Sequence, residues 1–160
     1  MRELSSQAQA AKLIRKELKA AFPGIKFRVT SKGFSMGDSV DIDWTDGPTS
    51  KQVKEITDKY QYGHFNGMED IYEYSNNRSD LPQSKYVMTQ RSISKEIYEI
   101  MLNEWFAWGG GFERIEGDND RFIRDGQTRY VSQESHRFLN KLDLREPLTR
   151  ERVYQSQFTI

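Results

Sequence analysis

Two short segments of this chain alternate apolar and polar residues so strictly that they leave little choice of local structure. From Lys26 to Lys32, Phe27 and Val29 face one way, while Lys26, Arg28, Thr30 and Lys32 face the other. From Ser39 to Thr45, Val40, Ile42 and Trp44 face inward, and Asp41 and Asp43 outward. A period of two with one apolar face predicts half-buried strands, and the turn-rich Gly33–Asp38 between them predicts an antiparallel hairpin. Lysine and arginine on one outward face then stand opposite aspartate on the other, a favourable cross-strand arrangement.

The remaining elements follow from periodicity and punctuation. Residues 5–21 read as an amphipathic helix with Ala11, Ile14, Leu18 and Ala21 on its buried stripe, ended by Pro23-Gly24. Thr49 and Gln52 suit a capping box for a helix over about 50–61, burying Val53, Ile56 and Tyr60. Tyr62–Met68 reads as a glycine-punctuated loop. Residues 71–75 and 85–91 read as strands, separated by the polar Asn76–Ser84. Ser94 can cap a helix over about 95–107 that carries Ile97, Ile100, Met101 and Trp105. Phe122–Arg124 and Thr128–Val131 flank Asp125-Gly126, a hairpin turn pair. Ser132 is placed to cap a helix with His136, Phe138, Leu139 and Leu142, and the Arg-rich residues 143–160 are expected to extend over the surface.

The expected class is therefore α+β. An antiparallel sheet of about four strands packs with helices in the order α-β-β-α-β-β-α, followed by a smaller C-terminal hairpin and helix. Gly109-Gly110-Gly111 marks the expected boundary between a core domain, 1–108, and a C-terminal extension, 109–160. That triple glycine is no phosphate loop, since no Gly-Lys-Ser/Thr follows it.

Composition narrows the chemistry. The chain has no cysteine, which excludes disulfides, thiolate nucleophiles and Cys-ligated zinc. His64 and His136 are the only histidines, too few for a histidine-rich metal centre. No cofactor is expected. The first residues have no apolar run of signal-peptide type, and no stretch approaches the roughly 18 apolar residues of a membrane span, so a cytoplasmic protein with no membrane partner is expected.

Twenty-four Lys and Arg balance twenty-four Asp and Glu among the 160 residues, but the zero is a cancellation. Residues 1–35 hold eight basic and two acidic residues, net +6; residues 36–80 hold four basic and ten acidic, net −6. On the first helix Lys12, Arg15, Lys16 and Lys19 fall on one face, where like charges repel by a few tenths of a kcal/mol per pair. A polyanion such as nucleic acid would relieve that repulsion through its phosphates. The plainer reading is a solvated face, or one paired with the acidic block.

Two carboxylates on one strand face, Asp41 and Asp43, could hold Mg²⁺, and Asp38 and Asp46 would enlarge the group. Opposite Arg28 they read more simply as an exposed charge ladder. His64, with Asn66, Glu69 and Asp70 close in sequence, has the residue types of acid–base chemistry; an enzyme acting on nucleic acid or nucleotides would draw on Asp41, Asp43, His64 and Asp70. The competing reading is a shaped connection whose Phe65 and Met68 plug the core. His64, Phe65 and Asn66 make this loop a candidate partner-binding site. Trp108 joins them as the rim of a hinge at the triple glycine that could open a partner surface.

The block Val40-Asp41-Ile42-Asp43-Trp44-Thr45-Asp46-Gly47-Pro48 and the loop Phe65-Asn66-Gly67-Met68, with Val53–Tyr60 between them and Ile71–Tyr74 after, resemble the large polyvalent protein-associated domain, type 29, over roughly residues 10–95. The resemblance implies a protein of a phage, plasmid or conjugative element in a bacterial host. Together with the segregated charge and the lack of a convincing catalytic set, that setting leads to the expectation of a binding role, counteracting host defence through nucleic acid or a host protein complex. The resemblance supplies no catalytic residues. The function expected is that of a small non-enzymatic binding protein.

Overall fold

The computed structural model describes residues 3–108 and 111–158. Their contacts divide them into two units. One takes the chain through Trp44 and again Ser50–Ser92; the other takes Thr45–Thr49 and the chain from Ile93 on.

The first unit opens with helix α1, Ser6–Ala21. Ala10, Ala11, Ile14 and Leu18 make its buried stripe, all with no exposed surface. Ala21, expected on that stripe, is exposed, and Ala10 takes its place one turn before Ile14. The helix stops because Pro23 offers no N–H and Gly24 turns left-handed, at φ 83°.

Strands β1 (Arg28–Phe34) and β2 (Gly37–Thr45) pair antiparallel, with Val29 opposite Ile42, Thr30 opposite Asp41 and Arg28 opposite Asp43. Val29, Val40, Ile42 and Trp44 are buried under α1 and helix α2, Ser50–Thr57, which contributes Val53. Burying an aliphatic side chain of this size is worth about 1.5–3 kcal/mol, so this cluster dominates the unit's stability. Phe27, half-buried before β1, bridges Phe22 and Trp44 at ring distances of 5.9 and 5.6 Å. A short 3-10 turn, Asp58–Tyr60, ends α2. There Tyr60 donates its hydroxyl to Glu17 Oε1 at 2.6 Å and Lys59 Nζ meets Glu17 Oε2 at 2.8 Å, tying the turn to α1.

The single sheet of four strands is not found. Strand β5 (Tyr86–Ser92) lies beside β2, giving the order β1-β2-β5. Strands β3 (His64–Asn66) and β4 (Ile71–Glu73) pair only with each other. They are too short, and too exposed at Phe65 and Ile71, to contribute a buried sheet face. Residues 64–66 thus form one strand of a hairpin within the stretch 62–68 that the sequence suggested as a loop. Phe65 and Met68 are exposed and plug no core.

In the second unit helix α3, Lys95–Trp108, packs on strand β6 (Phe112–Arg114), on α4 (Val131–Leu139) and on α5 (Arg150–Phe158). Its contacts thus group it with the elements after the glycines, although the sequence reading drew the division after Trp108. Gly109 and Gly110 lie outside the described residues. Strand β6 pairs with β7 (Arg121–Arg124), and β7 with β8 (Gln127–Tyr130), through the expected Asp125-Gly126 turn, whose φ values are 52° and 75°. Trp105 lies at the centre, with Phe112, Phe122 and Phe138 rings at 5.0, 5.5 and 5.3 Å.

Two expectations fail here. Helix α4 begins at Val131 with Tyr130 in the cap position, so Ser132 lies inside the helix and is no cap. Residues 150–158 form α5 and do not run extended over the surface. Val153 is buried, and the Arg152 guanidinium donates to the carbonyls of Asp143, Glu146 and Pro147, closing the turn before the helix. An arginine that satisfies three backbone carbonyls reads from sequence as one more surface charge. Among the described residues no helix is long and apolar enough to cross a membrane.

Candidate functional site

Helix α1 turns about 100° per residue, which places Lys12, Lys16 and Lys19 within an arc of about 60°. All three are exposed, opposite the buried stripe. Among the described residues none of the three forms an ion pair. The acidic block does not neutralise them. Three of its carboxylates are held elsewhere: Asp41 on Lys32 at 2.8 Å, Glu73 on His64 and Asn66, and Asp80 on Arg78. Arg15 lies at the edge of the arc, toward Ala11 and Leu18. Its guanidinium donates to the Val29 carbonyl at 2.6 Å and so ties α1 to β1. The structure therefore separates one structural arginine from three free lysines.

The aspartates do not assemble. Asp38 accepts from the Ser84 hydroxyl at 2.8 Å and the Lys85 backbone N–H at 2.7 Å. Asp46, in the left-handed region at φ 56°, accepts from the Ser94 N–H at 2.8 Å. Asp70 occupies the turn between β3 and β4, also left-handed at φ 54°. No group of three or more metal-ligating side chains occurs among the described residues.

His64 has gained partners that its sequence neighbours did not announce. Nδ1 lies 3.0 Å from Ser75 Oγ and Nε2 lies 3.3 Å from Glu73 Oε2. Asn66 Nδ2 donates to the other Glu73 oxygen at 2.6 Å, and Asn66 Oδ1 accepts from the Met68 N–H at 3.1 Å. The imidazole, Glu73 and Asn66 thus form one cross-strand network on one face of the hairpin. It is open to water, and its evident effect is to hold β3 on β4.

The opposite face of the hairpin is aromatic. Tyr72 and Tyr74 alternate onto it, and Phe65 stands opposite Tyr72. Tyr62 and Tyr74 stack at 5.6 Å with planes 8° apart, and Tyr72 meets both edge-on at 5.8 and 5.3 Å. Tyr86 meets Tyr72 at 5.6 Å, and Phe34 stacks on Tyr86 at 6.4 Å. Lys85 crosses this cluster, with Nζ 4.9 Å from the Tyr72 centroid and 5.6 Å from that of Tyr86, and it donates to the Met36 carbonyl at 3.0 Å. Burial, then the neighbouring tyrosines, push the Tyr72 phenol up to about 12. Burial and then Asp38 raise Tyr62. The backbone permits this packing at Gly63, where a Cβ would lie 2.1 Å from the Glu73 carbonyl oxygen.

Phe65 is legible in the sequence as a candidate site residue; the tyrosines around it are not. The available signal was density: four aromatics, Tyr62, Phe65, Tyr72 and Tyr74, fall within thirteen residues, and Tyr86 joins them from β5. Trp108, in the second unit, ends α3 half-exposed with its ring 6.1 Å from Phe112. His136 is exposed on α4.

No curated protein and no solved structure matches this chain. Residues 5–98, more than half of the chain and all of the elements from α1 to β5, match the family model of the large polyvalent protein associated domain 29, and the chain belongs to that family.

Proposed function

We propose that this protein is a non-enzymatic binding protein of a bacterial mobile element, and that it engages nucleic acid through the lysine face of α1. Membership of a domain family associated with polyvalent proteins supports the setting. The observation that carries the binding reading is the triplet Lys12, Lys16 and Lys19, exposed and without ion-pair partners among the described residues. They span about 10 Å of helix axis, a length that meets successive phosphates of one strand. Occupying nucleic acid in this way would counteract a host defence that acts on it.

Fluorescence anisotropy with a labelled 20-base-pair duplex at low salt tests the reading. The Lys12→Glu/Lys16→Glu/Lys19→Glu variant is expected to lose binding while keeping its thermal midpoint. Unchanged affinity in that variant overturns the proposal. Pull-down from a bacterial lysate, with and without nuclease, separates it from binding to a host protein complex: a partner recovered equally well after nuclease treatment favours the protein.

A further inference from the structure

The aromatic face of the β3–β4 hairpin lies outside the lysine reading, and its chemistry points to a different ligand. Tyr74 is 68% exposed, Phe65 53% and Met68 at the hairpin tip 99%. Large apolar side chains displayed together on a short arm are expensive in water unless a partner covers them. The rings are also held in place. Tyr74 is fixed against Tyr62 and Tyr72, and Tyr72 donates its hydroxyl to the Lys85 carbonyl, so little side-chain freedom is left to lose on binding.

Charge decides which partner fits. Residues 62–77 contain Glu69, Asp70 and Glu73 and no Lys or Arg. Glu73 is held by His64 and Asn66, whereas Glu69 and Asp70, both exposed at the turn, have no ion-pair partner among the described residues. These carboxylates leave the hairpin net acidic, although Lys85 crosses its aromatic face from β5. A cation would be drawn in, and the site already displays the geometry: the protein's own Lys85 ammonium lies over the Tyr72 and Tyr86 rings. Among the described residues no cation lies over Tyr74 or Phe65. A planar guanidinium stacks on an exposed ring better than an ammonium does and sheds its hydration more readily.

We propose that Tyr74 and Phe65, on a hairpin whose turn carries Glu69 and Asp70, form a docking surface for an arginine-bearing segment of a partner protein. The guanidinium stacks on the open face of Tyr74. The carboxylates of the turn attract the cationic segment. Met68 at the hairpin tip covers the aliphatic part of the bound segment. This surface is independent of the lysine face of α1, and either can fail without the other.

The test uses the whole chain and three labelled twelve-residue peptides, alternating Arg-Gly, Lys-Gly and citrulline-Gly. Anisotropy is expected to rank them Arg above Lys above citrulline. Tyr74→Ala and Phe65→Ala should each weaken the Arg peptide roughly threefold, while Tyr74→Phe retains it, because the ring supplies the interaction. Glu69→Gln/Asp70→Asn should weaken it and flatten its salt dependence. The α1 triple lysine variant should bind it as before. Circular dichroism guards against unfolded variants. Equal affinity for all three peptides, or an undiminished Arg peptide in Tyr74→Ala/Phe65→Ala, overturns the proposal. So does a twelve-residue oligothymidylate whose binding depends on Tyr74, which would make the face a base-stacking platform. Concentration-dependent self-association abolished by Tyr74→Ala would assign the face to a second copy of this chain and overturn it as well.

Discussion

The guanidinium of Arg15 donates to the carbonyl oxygen of Val29 across 2.6 Å, and that one bond divides the cationic face of α1 into a structural part and a free part. Arg15→Ala leaves a β-strand carbonyl without its donor and loosens the helix from β1. We expect a loss of about 1 kcal/mol in denaturant unfolding, with nucleic-acid affinity reduced less than by Lys16→Ala. A variant with unchanged stability but the larger loss of affinity would return Arg15 to the binding face.

Salt dependence counts the contacts. Three lysines displacing counterions from a duplex give a slope of log affinity on log salt of roughly −2.7, at about −0.9 per phosphate neutralised. Each Lys→Ala substitution among residues 12, 16 and 19 should reduce the magnitude of that slope by about one. Anisotropy titrations between 50 and 200 mM salt (roughly the range over which counterion release is read) provide the measurement.

Gly63 is set by space. An added Cβ would lie 2.1 Å from the Glu73 carbonyl oxygen and 2.5 Å from a ring carbon of Tyr72, and the backbone oxygen has nowhere to move without parting the hairpin from its root. Gly63→Ala is expected to cost about 1–3 kcal/mol and to reduce the near-ultraviolet circular dichroism of the tyrosine cluster. Native stability and an unaltered aromatic spectrum would count against the described packing.

Glu17 makes the first unit sensitive to acid. Burial opposes its ionisation, but the hydrogen bonds from Lys59 and Tyr60 outweigh that and hold the carboxyl below its ordinary 4.5. A pKa lowered on folding contributes stability that is full above the unfolded value and is lost as pH falls through the folded one. Melting temperature should therefore decline below about pH 4.5, and Glu17→Gln should make that acid limb shallower while lowering stability at neutral pH.

The C-terminal helix belongs to the core of its unit. Val153 is buried beside the Trp105 cluster, so Val153→Ala should cost about 2 kcal/mol in denaturant unfolding. A surface extension would show a change within about 0.5 kcal/mol.

Local pattern carried far in this chain wherever one face is buried and the other wet. Val29, Val40, Ile42 and Trp44 alternate inward as their period of two requires, and Ile14 and Leu18 occupy the helix stripe. Asp125-Gly126 turns as its chemistry demands. Pattern failed where an element is stabilised by something other than its own apolar stripe. Strand β3 has three residues and no buried face, so nothing marks it except Glu73 and Ser75 across the hairpin, which reach His64 only after the chain has turned back. Among the described residues helix α5 is held by the buried Val153, by the Arg150 ion pair to Glu104 and by the arginine that closes the preceding turn.

The α+β class, the β1–β2 hairpin with its facing charges and the lysine-rich helix face are all legible in the chain alone, because each is a property of periodicity within about twenty residues. Tertiary structure alone decided which of those cations are free. Charge neutralisation depends on distance, and distance between Arg15 and Val29, or between Lys32 and Asp41, exists only once helix and sheet are packed. It also decided that Tyr62 and Tyr86 would join Tyr72 and Tyr74 on one surface, since the period of two relates only the latter pair.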